Sequence, residues 1–205
     1  MTTISLSSVA AALNGRGFRA EVCSDKAAAM ARLRELCAGA SVGLGGSRTL
    51  TDMNAYDNLA GVAAQVSSHA HAPGMETMMA ANRADVYITS ANGLSADGAI
   101  VNIDGTGNRV GSTLIGPGKL VYVIGRNKIM PSVEAAVGRV YAVAAPLNAM
   151  RFKAQVPCTE EGGSCEREAC PIDKTLCGQM VVIWRPSRMI AGGTHVLLVD
   201  EDVGF

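Results

Sequence analysis

Aromatic side chains are scarce in this chain: one Trp, three Phe and four Tyr among 205 residues. A core built on ring packing is therefore excluded, and Ala, Val, Leu, Ile and Met must fill it. Net charge is missing too, with 18 Lys plus Arg against 18 Asp plus Glu. No basic excess exists to draw in nucleic acid or a membrane surface over long range, although local charge still counts. No run approaches the roughly 20 apolar residues of a membrane-spanning helix. The opening residues, MTTISLSSVAAALNGRGF, lack a basic start leading into a long apolar segment and do not read as a secretory signal. The expectation is a cytoplasmic protein with no nucleic-acid or membrane partner. In that compartment the six cysteines serve as thiols or ligands rather than as disulfides.

Glycine is plentiful, at 23 residues, as the tight turns of a multi-stranded α/β fold require. The length fits one domain, 1–205, with a substantial core. Helical spacing over 5–13 stops at Asn14-Gly15, and 18–23 reads as a short strand. Ser24 or Asp25 caps a helix through Leu36, with Met30, Leu33 and Leu36 on one face. A buried strand at 41–44, a helix over 51–60, a strand over 62–66 and a helix over 75–82 follow. Met78 and Met79 are expected in the core or an interface.

Residues 85–128, DVYITSANGLSADGAIVNIDGTGNRVGSTLIGPGKLVYVIGRNK, organise the chain. Three apolar strands, 86–88, 99–103 and 120–124, each stop at polar residues. The last is apolar throughout, as in a central strand buried on both faces. Asn92-Gly93 reads as a turn. A helix from Ser132 runs towards Ala145 until Pro146 interrupts or kinks it. Residues 180–184 and 195–199 are β-like and complete the sheet or add a hairpin-like edge. Trp184 is expected to pack under the cysteine loop, His195 to be a structural strand residue, and Phe205 to dock and close the fold.

Polar strand ends are where open α/β sheets hold ligands. In the turn after 41–44, Gly45 and Gly46 let the backbone approach an anion, and Ser47 and Thr49 offer hydroxyls. A helix beginning near Thr49 would add partial positive charge, and Arg48 can fork onto a carboxylate or phosphate. The plain alternative is a tight turn capped by Ser47 or Thr49. Asn92, Asn108, Arg109 and Asn127 are the other ligand-binding candidates. Asp104 is a candidate general base, or else it pairs with Arg109 and holds the loop. Lys128 neutralises an anionic substrate or, if desolvated, acts as a base; the alternative is a solvated lysine at a helix start. His69 and His71 would share one side of a strand and suit a metal, with Glu76 as a third ligand. Pro73-Gly74 favours exposed histidines at a rim instead.

The segment 152–178 is cysteine-rich, with Cys158, Cys165, Cys170 and Cys177 separated by six, four and six residues. Pro157, Gly162-Gly163 and Pro171 make it an irregular loop. Four thiolates suffice for zinc or for a 4Fe-4S iron–sulfur cluster, yet the spacing matches neither paired CxxC knuckles nor the ferredoxin run. Packed free thiols or disulfides formed on oxidation are the alternatives. Cys23 and Cys37 read as core residues.

The Asn-containing strand end, the IDGTGNRV loop, the GRNKI loop, the AAPLN element and the terminal VDEDVGF occur here in an order that resembles the lactate-utilisation (LUD) domain family. That resemblance implies a mainly parallel sheet flanked by helices, similar to the sugar-phosphate isomerase and CoA-transferase-like fold. In such a fold a loop comparable to 45–49 faces an anionic ligand. It also implies a subunit or accessory component of iron–sulfur-linked oxidation of L-lactate to pyruvate, with cluster-bearing partner subunits. A homo-oligomer stays open. GTGNRV has too few glycines at the right spacing for a dinucleotide loop, so a flavin or cluster would belong to the cysteine loop or to another subunit. Two other functions remain open. One is an independent enzyme on a small phosphorylated or CoA-linked substrate; the other is a non-catalytic sensing or scaffold subunit.

Overall fold

The computed structural model describes residues 4–160, 164, 165 and 169–205; Gly162 and Gly163 of the cysteine loop lie outside them. Helix α1 (Leu6–Gly15) leads into β1 (Arg19–Cys23), α2 (Lys26–Cys37) and β2 (Ser41–Leu44). Asp25 caps α2, its carboxylate accepting the Ala28 N–H at 2.7 Å. Two short helices, α3 (Arg48–Asp52) and α4 (Ala55–Ala60), precede β3 (Gln65–Ser68), α5 (Met75–Asn82) and β4 (Val86–Thr89). The single helix expected over 51–60 is broken because Asn54 adopts a left-handed conformation, φ 48°. Asn tolerates this better than most residues, but a helix cannot pass through it.

Six strands form an all-parallel sheet. After β4 the chain leaves it for β5 (Gly93–Ser95), β6 (Ile100–Asp104) and α6 (Asn108–Ser112), then returns as β7 (Lys119–Gly125). It leaves again through β8 (Ile129–Met130), α7 (Val133–Arg139), α8 (Ala145–Arg151) and β9 (Gln179–Ile183), and returns as β10 (Thr194–Val199). The main order is β1-β10-β7-β4-β2-β3; the excursions form a second, four-stranded sheet, β8-β5-β6-β9. The chain is thus an α/β domain with a mainly parallel sheet flanked by helices.

The strands alternate their side chains between two cores. Val121 and Val123 of β7 face the cluster built with α2, α3 and α4, including Leu33, Leu50 and Leu59. Leu120, Tyr122 and Ile124 face a second cluster with Val9 and Leu13 of α1 and with Leu94 and Ile100 of the small sheet. Cys23 and Cys37 sit in the first core, where burial pushes each thiol up to about 11. Met78 is half-buried, whereas Met79 is 43% exposed.

Several expectations need correction. Asn92 lies at a bend where the chain crosses from one sheet to the other. The hairpin turn lies at Asp97-Gly98, where Gly98 has φ +92°. Of the two alternatives for the last β-like runs, β10 completes the main sheet, running parallel between β1 and β7, whereas β9 joins β6 antiparallel in the second sheet and makes no hairpin with β10. Trp184 does not lie under the cysteine loop; it is 48% exposed, with the Arg16 guanidinium 5.3 Å from its ring centre. Pro146 does not end its helix. A π-helical stretch (Val140–Ala144) precedes it, and Pro146 sits in the first turn of α8, where no N–H is demanded of it.

Gly43 of β2 is required by packing. A Cβ there would overlap the backbone of Ala81 on α5, with the Ala81 carbonyl carbon only 2.7 Å away. Backbone cannot rotate aside as a side chain can. Gly43→Ala is expected to lower stability by roughly 2–3 kcal/mol, read from chemical denaturation midpoints.

Candidate functional site

The carboxyl ends of β2, β4, β7 and β10 all open on one edge of the parallel sheet. The polar residues after them converge on a recess of about 30 Å³, lined in part by Gly46, Ser47 and Arg48 after β2. Ser90, Ala91 and Asn92 follow β4, and Lys128 follows β7. Arg109 reaches in from α6, Asn148 from α8, and Phe205 closes the rim. No acidic side chain lines it among the described residues.

Lys128 is the buried charge of this site. It is only 2% exposed, and its Nζ donates to Thr49 Oγ1 at 2.6 Å and to Ser90 Oγ at 3.0 Å. Two of its three hydrogens are thereby used, which leaves one donor for a ligand in the recess. Burial lowers its pKa to about 7; the nearby Arg139 and Arg109 push the same way, and Asp52 opposes them. The ammonium is therefore poised to lose or gain a proton near neutrality. The lysine at a solvated helix start is ruled out by its burial.

Thr49 and Ser90 are buried with it. Thr49 also reaches Val203 carbonyl oxygen at 3.2 Å and so links the lysine to the tail. Asn127 completes that link: its Nδ2 donates to Gly204 oxygen at 3.0 Å, and its Oδ1 accepts the Val203 N–H at 3.2 Å. Asn127 therefore ties down the tail that carries Phe205 to the recess.

Arg139 of α7 braces the site from behind. Its Nη1 donates to the Asn92 carbonyl at 2.5 Å and its Nε to the Asn127 carbonyl at 3.1 Å, so one guanidinium joins the loops after β4 and β7. Asn92 Oδ1 accepts the Ile103 N–H at 2.9 Å and Arg109 Nη2 at 3.2 Å, which sets the Arg109 side chain at the rim. Arg48 is held by Asp52, Nε to Oδ1 at 2.6 Å.

Other candidates from the sequence fall elsewhere. Asp104 is not among the residues lining the recess. Its carboxylate accepts the backbone N–H groups of Gly105, Arg109 and Val110 at 2.8–3.1 Å, so it meets Arg109 through the backbone. Asn108 accepts the Thr106 hydroxyl at 2.9 Å beside that loop. Gly45 packs instead of cradling a ligand: a Cβ would stand 2.7 Å from Tyr87 Oη. Gly46 faces open space at the recess. The helix begins at Arg48, and its five residues supply little dipole. His69 and His71 lie beyond the end of β3, so they do not share a strand face. His71 stacks on Tyr56 with ring centres 3.8 Å apart, and His69 accepts the Gly74 N–H at 3.1 Å.

Ser90, Arg139, Asn148 and Arg151 were not singled out by the sequence. Arg151, three residues beyond Asn148 on α8, has a buried Nε without a hydrogen-bond partner among the described residues. The proximity of Arg109 and Arg48, after burial, lowers its pKa. Arg48, Arg109, Lys128, Arg139 and Arg151 thus concentrate positive charge on one edge of a chain with no net charge.

The four loop cysteines line a second cavity of about 70 Å³, walled by Ala145 and Ala149 of α8 and by Val156 and Leu176. Burial and the neighbouring thiols raise Cys177 to about 11, and the same causes raise Cys158. Among the described residues no group of three or more His, Cys, Asp or Glu side chains could hold a metal ion.

The LUD domain model matches residues 6–183. The crystal structure of a DUF162 family protein from Deinococcus radiodurans is similar with a TM-score of 0.52 at 15% identity, over 95% of this chain and 98% of that one. At that identity the likeness concerns the fold. No curated protein matches the chain.

Proposed function

Because the chain belongs to the LUD domain family, which is associated with lactate utilisation, we propose that its cationic recess binds a small carboxylate of the 2-hydroxy or 2-oxo acid class. In this reading the chain is a subunit or accessory component of iron–sulfur-linked oxidation of L-lactate to pyruvate. The observation that carries the proposal is the convergence of Arg48, Arg109 and buried Lys128 on one recess with no acidic side chain among its lining residues. A volume of about 30 Å³ has room for two or three waters at roughly 10–15 Å³ each, a space suited to a carboxylate head rather than to a nucleotide. Arg48 and Arg109 would fork onto the carboxylate, and Lys128 would meet the oxygen on the adjacent carbon.

Titration calorimetry with L-lactate, pyruvate, oxalate and phosphate tests this. Arg48→Ala and Lys128→Ala are each expected to weaken carboxylate binding at least tenfold, the loss of about one charge-assisted hydrogen bond. If both leave every anion bound as before, the recess is not the site. Lactate-dependent dye reduction by this chain alone, and with iron–sulfur partner subunits, separates component from complete enzyme; activity only in the mixture supports the subunit reading.

One observation favours a second reading, in which the chain is itself an enzyme on a small phosphorylated or CoA-linked substrate. Lys128, with a pKa of about 7, has the proton affinity of a general base or acid at neutral pH. Turnover by the isolated chain, lost in Lys128→Met, would favour it.

A further inference from the structure

We propose that Cys158, Cys165, Cys170 and Cys177 hold a four-iron, four-sulfide cluster within this chain. All four side chains line one cavity. Cys158 stands in the 3-10 turn Pro157–Thr159, just beyond α8, and Cys177 stands just before β9. The loop is thus anchored at both ends by regular structure, and its cysteines face inward from separate points of the chain.

The size of the cavity separates a cluster from a single metal ion. Four thiolates around one zinc sit about 2.3 Å from it and leave no space between them. Here the cysteines surround about 70 Å³. That is room for roughly five waters at 10–15 Å³ each, more than a lone ion would occupy. Ala145, Ala149, Val156 and Leu176 wall the cavity with apolar groups, which would limit water at a bound core. Small residues at 145 and 149 are one helical turn apart, so α8 presents a flat, narrow face there. Larger side chains at either position would fill the cavity.

Loading is balanced without any change of oxidation state. A preformed core with four irons and four sulfides exchanges the four thiolates of its carrier for one Fe–Sγ bond to each cysteine, and the four cysteine thiol protons pass to the released thiolates. Helix α8 supplies Ala145 and Ala149 to this cavity and Asn148 to the cationic recess. The cluster proposal stands without the anion reading, since it uses none of the recess residues.

The test is the metal and sulfide content of the full chain purified without oxygen, measured again after incubation with equal amounts of ferrous and ferric iron and with sulfide. About four irons and four acid-labile sulfides per chain are expected, with visible absorption bleached by dithionite. Cys158→Ser and Cys170→Ser should each lose at least one iron in four, whereas Cys37→Ala, altered in the parallel-sheet core, should keep the full complement. Circular dichroism melts show which variants are folded; where a serine variant is not, the iron and sulfide count of the unaltered chain decides. One zinc per chain without sulfide would overturn the proposal. So would a folded chain that stays without iron after reconstitution.

Discussion

Lys128→Met is expected to make the protein more stable while abolishing anion binding. Lysine in the unfolded chain titrates near 10.5, and burial holds it at about 7 in the fold. Between these values the unfolded state carries the extra proton, so stability rises with pH through the window from about 7 to about 10.5. Below about 7 the native state retains a buried ammonium at full cost, which the shift puts at about 5 kcal/mol. Methionine fills similar volume without charge, and Thr49 still reaches Ser90 and the Val203 carbonyl. The lost hydrogen bonds from Nζ offset part of the gain. The variant should therefore be more stable by about 2–4 kcal/mol near neutral pH, a rise of roughly 5–10 °C in Tm. The advantage should shrink as pH climbs and vanish above about 10. Thermal melts of both proteins across that range decide it; a variant that melts lower at neutral pH would mean that the ammonium is compensated in the fold. A stabilising change that removes binding is the signature of a residue kept for function.

Lys128 also illustrates what was legible in the sequence. Its position after the apolar strand 120–124 marks a strand end, and the apolar run itself implies burial of that strand. Burial of the lysine could not be read, because it depends on Thr49, Ser90 and the tail folding over it from three distant points of the chain. The same reason hides Arg139. Its place in a helix of ordinary spacing looks solvated, yet it donates to two loop carbonyls that meet only in the fold. Ser90 directly follows β4, and that strand-end position is its one local signal. Asn148 and Arg151 carried a usable signal: an i, i+3 pair on a helix shares one face.

The second sheet shows a different limit. Strands β5 and β8 have three and two residues, too short for an alternating pattern to declare itself. The central parallel strands β2, β4, β7 and β10 were easier because each is largely apolar and bounded by glycine or polar residues. Pairing of β9 with β6, and of β10 with β1 and β7, is set by packing across the whole chain and leaves no mark in local spacing. Asp104 was ambiguous for a chemical reason: a carboxylate after a strand serves equally as a base or as an acceptor for loop N–H groups, and only the placement of Arg109 and Val110 distinguishes them.

The affinity of the recess for a small carboxylate should fall about tenfold per pH unit above 7. An anion favours the charged form of Lys128, so binding raises the lysine pKa from its free value of about 7. Below that value the ammonium is already present and affinity is level. Above it, each unit of pH removes nine-tenths of the competent form until the raised pKa of the complex is reached. From pH 7 to 9 the loss is about 50-fold, and binding takes up close to one proton. Thr49 and Ser90, the hydroxyls that hold Lys128 Nζ, are neutral throughout this interval. Calorimetry with oxalate in buffers of different ionisation enthalpy measures both the slope and the proton. Lys128→Arg should keep a cation and flatten the profile, whereas a steep fall retained in that variant would assign the titration to a different group. A wild-type affinity level through pH 9 would place the bound anion away from Lys128, on Arg48, Arg109 and Arg151 alone.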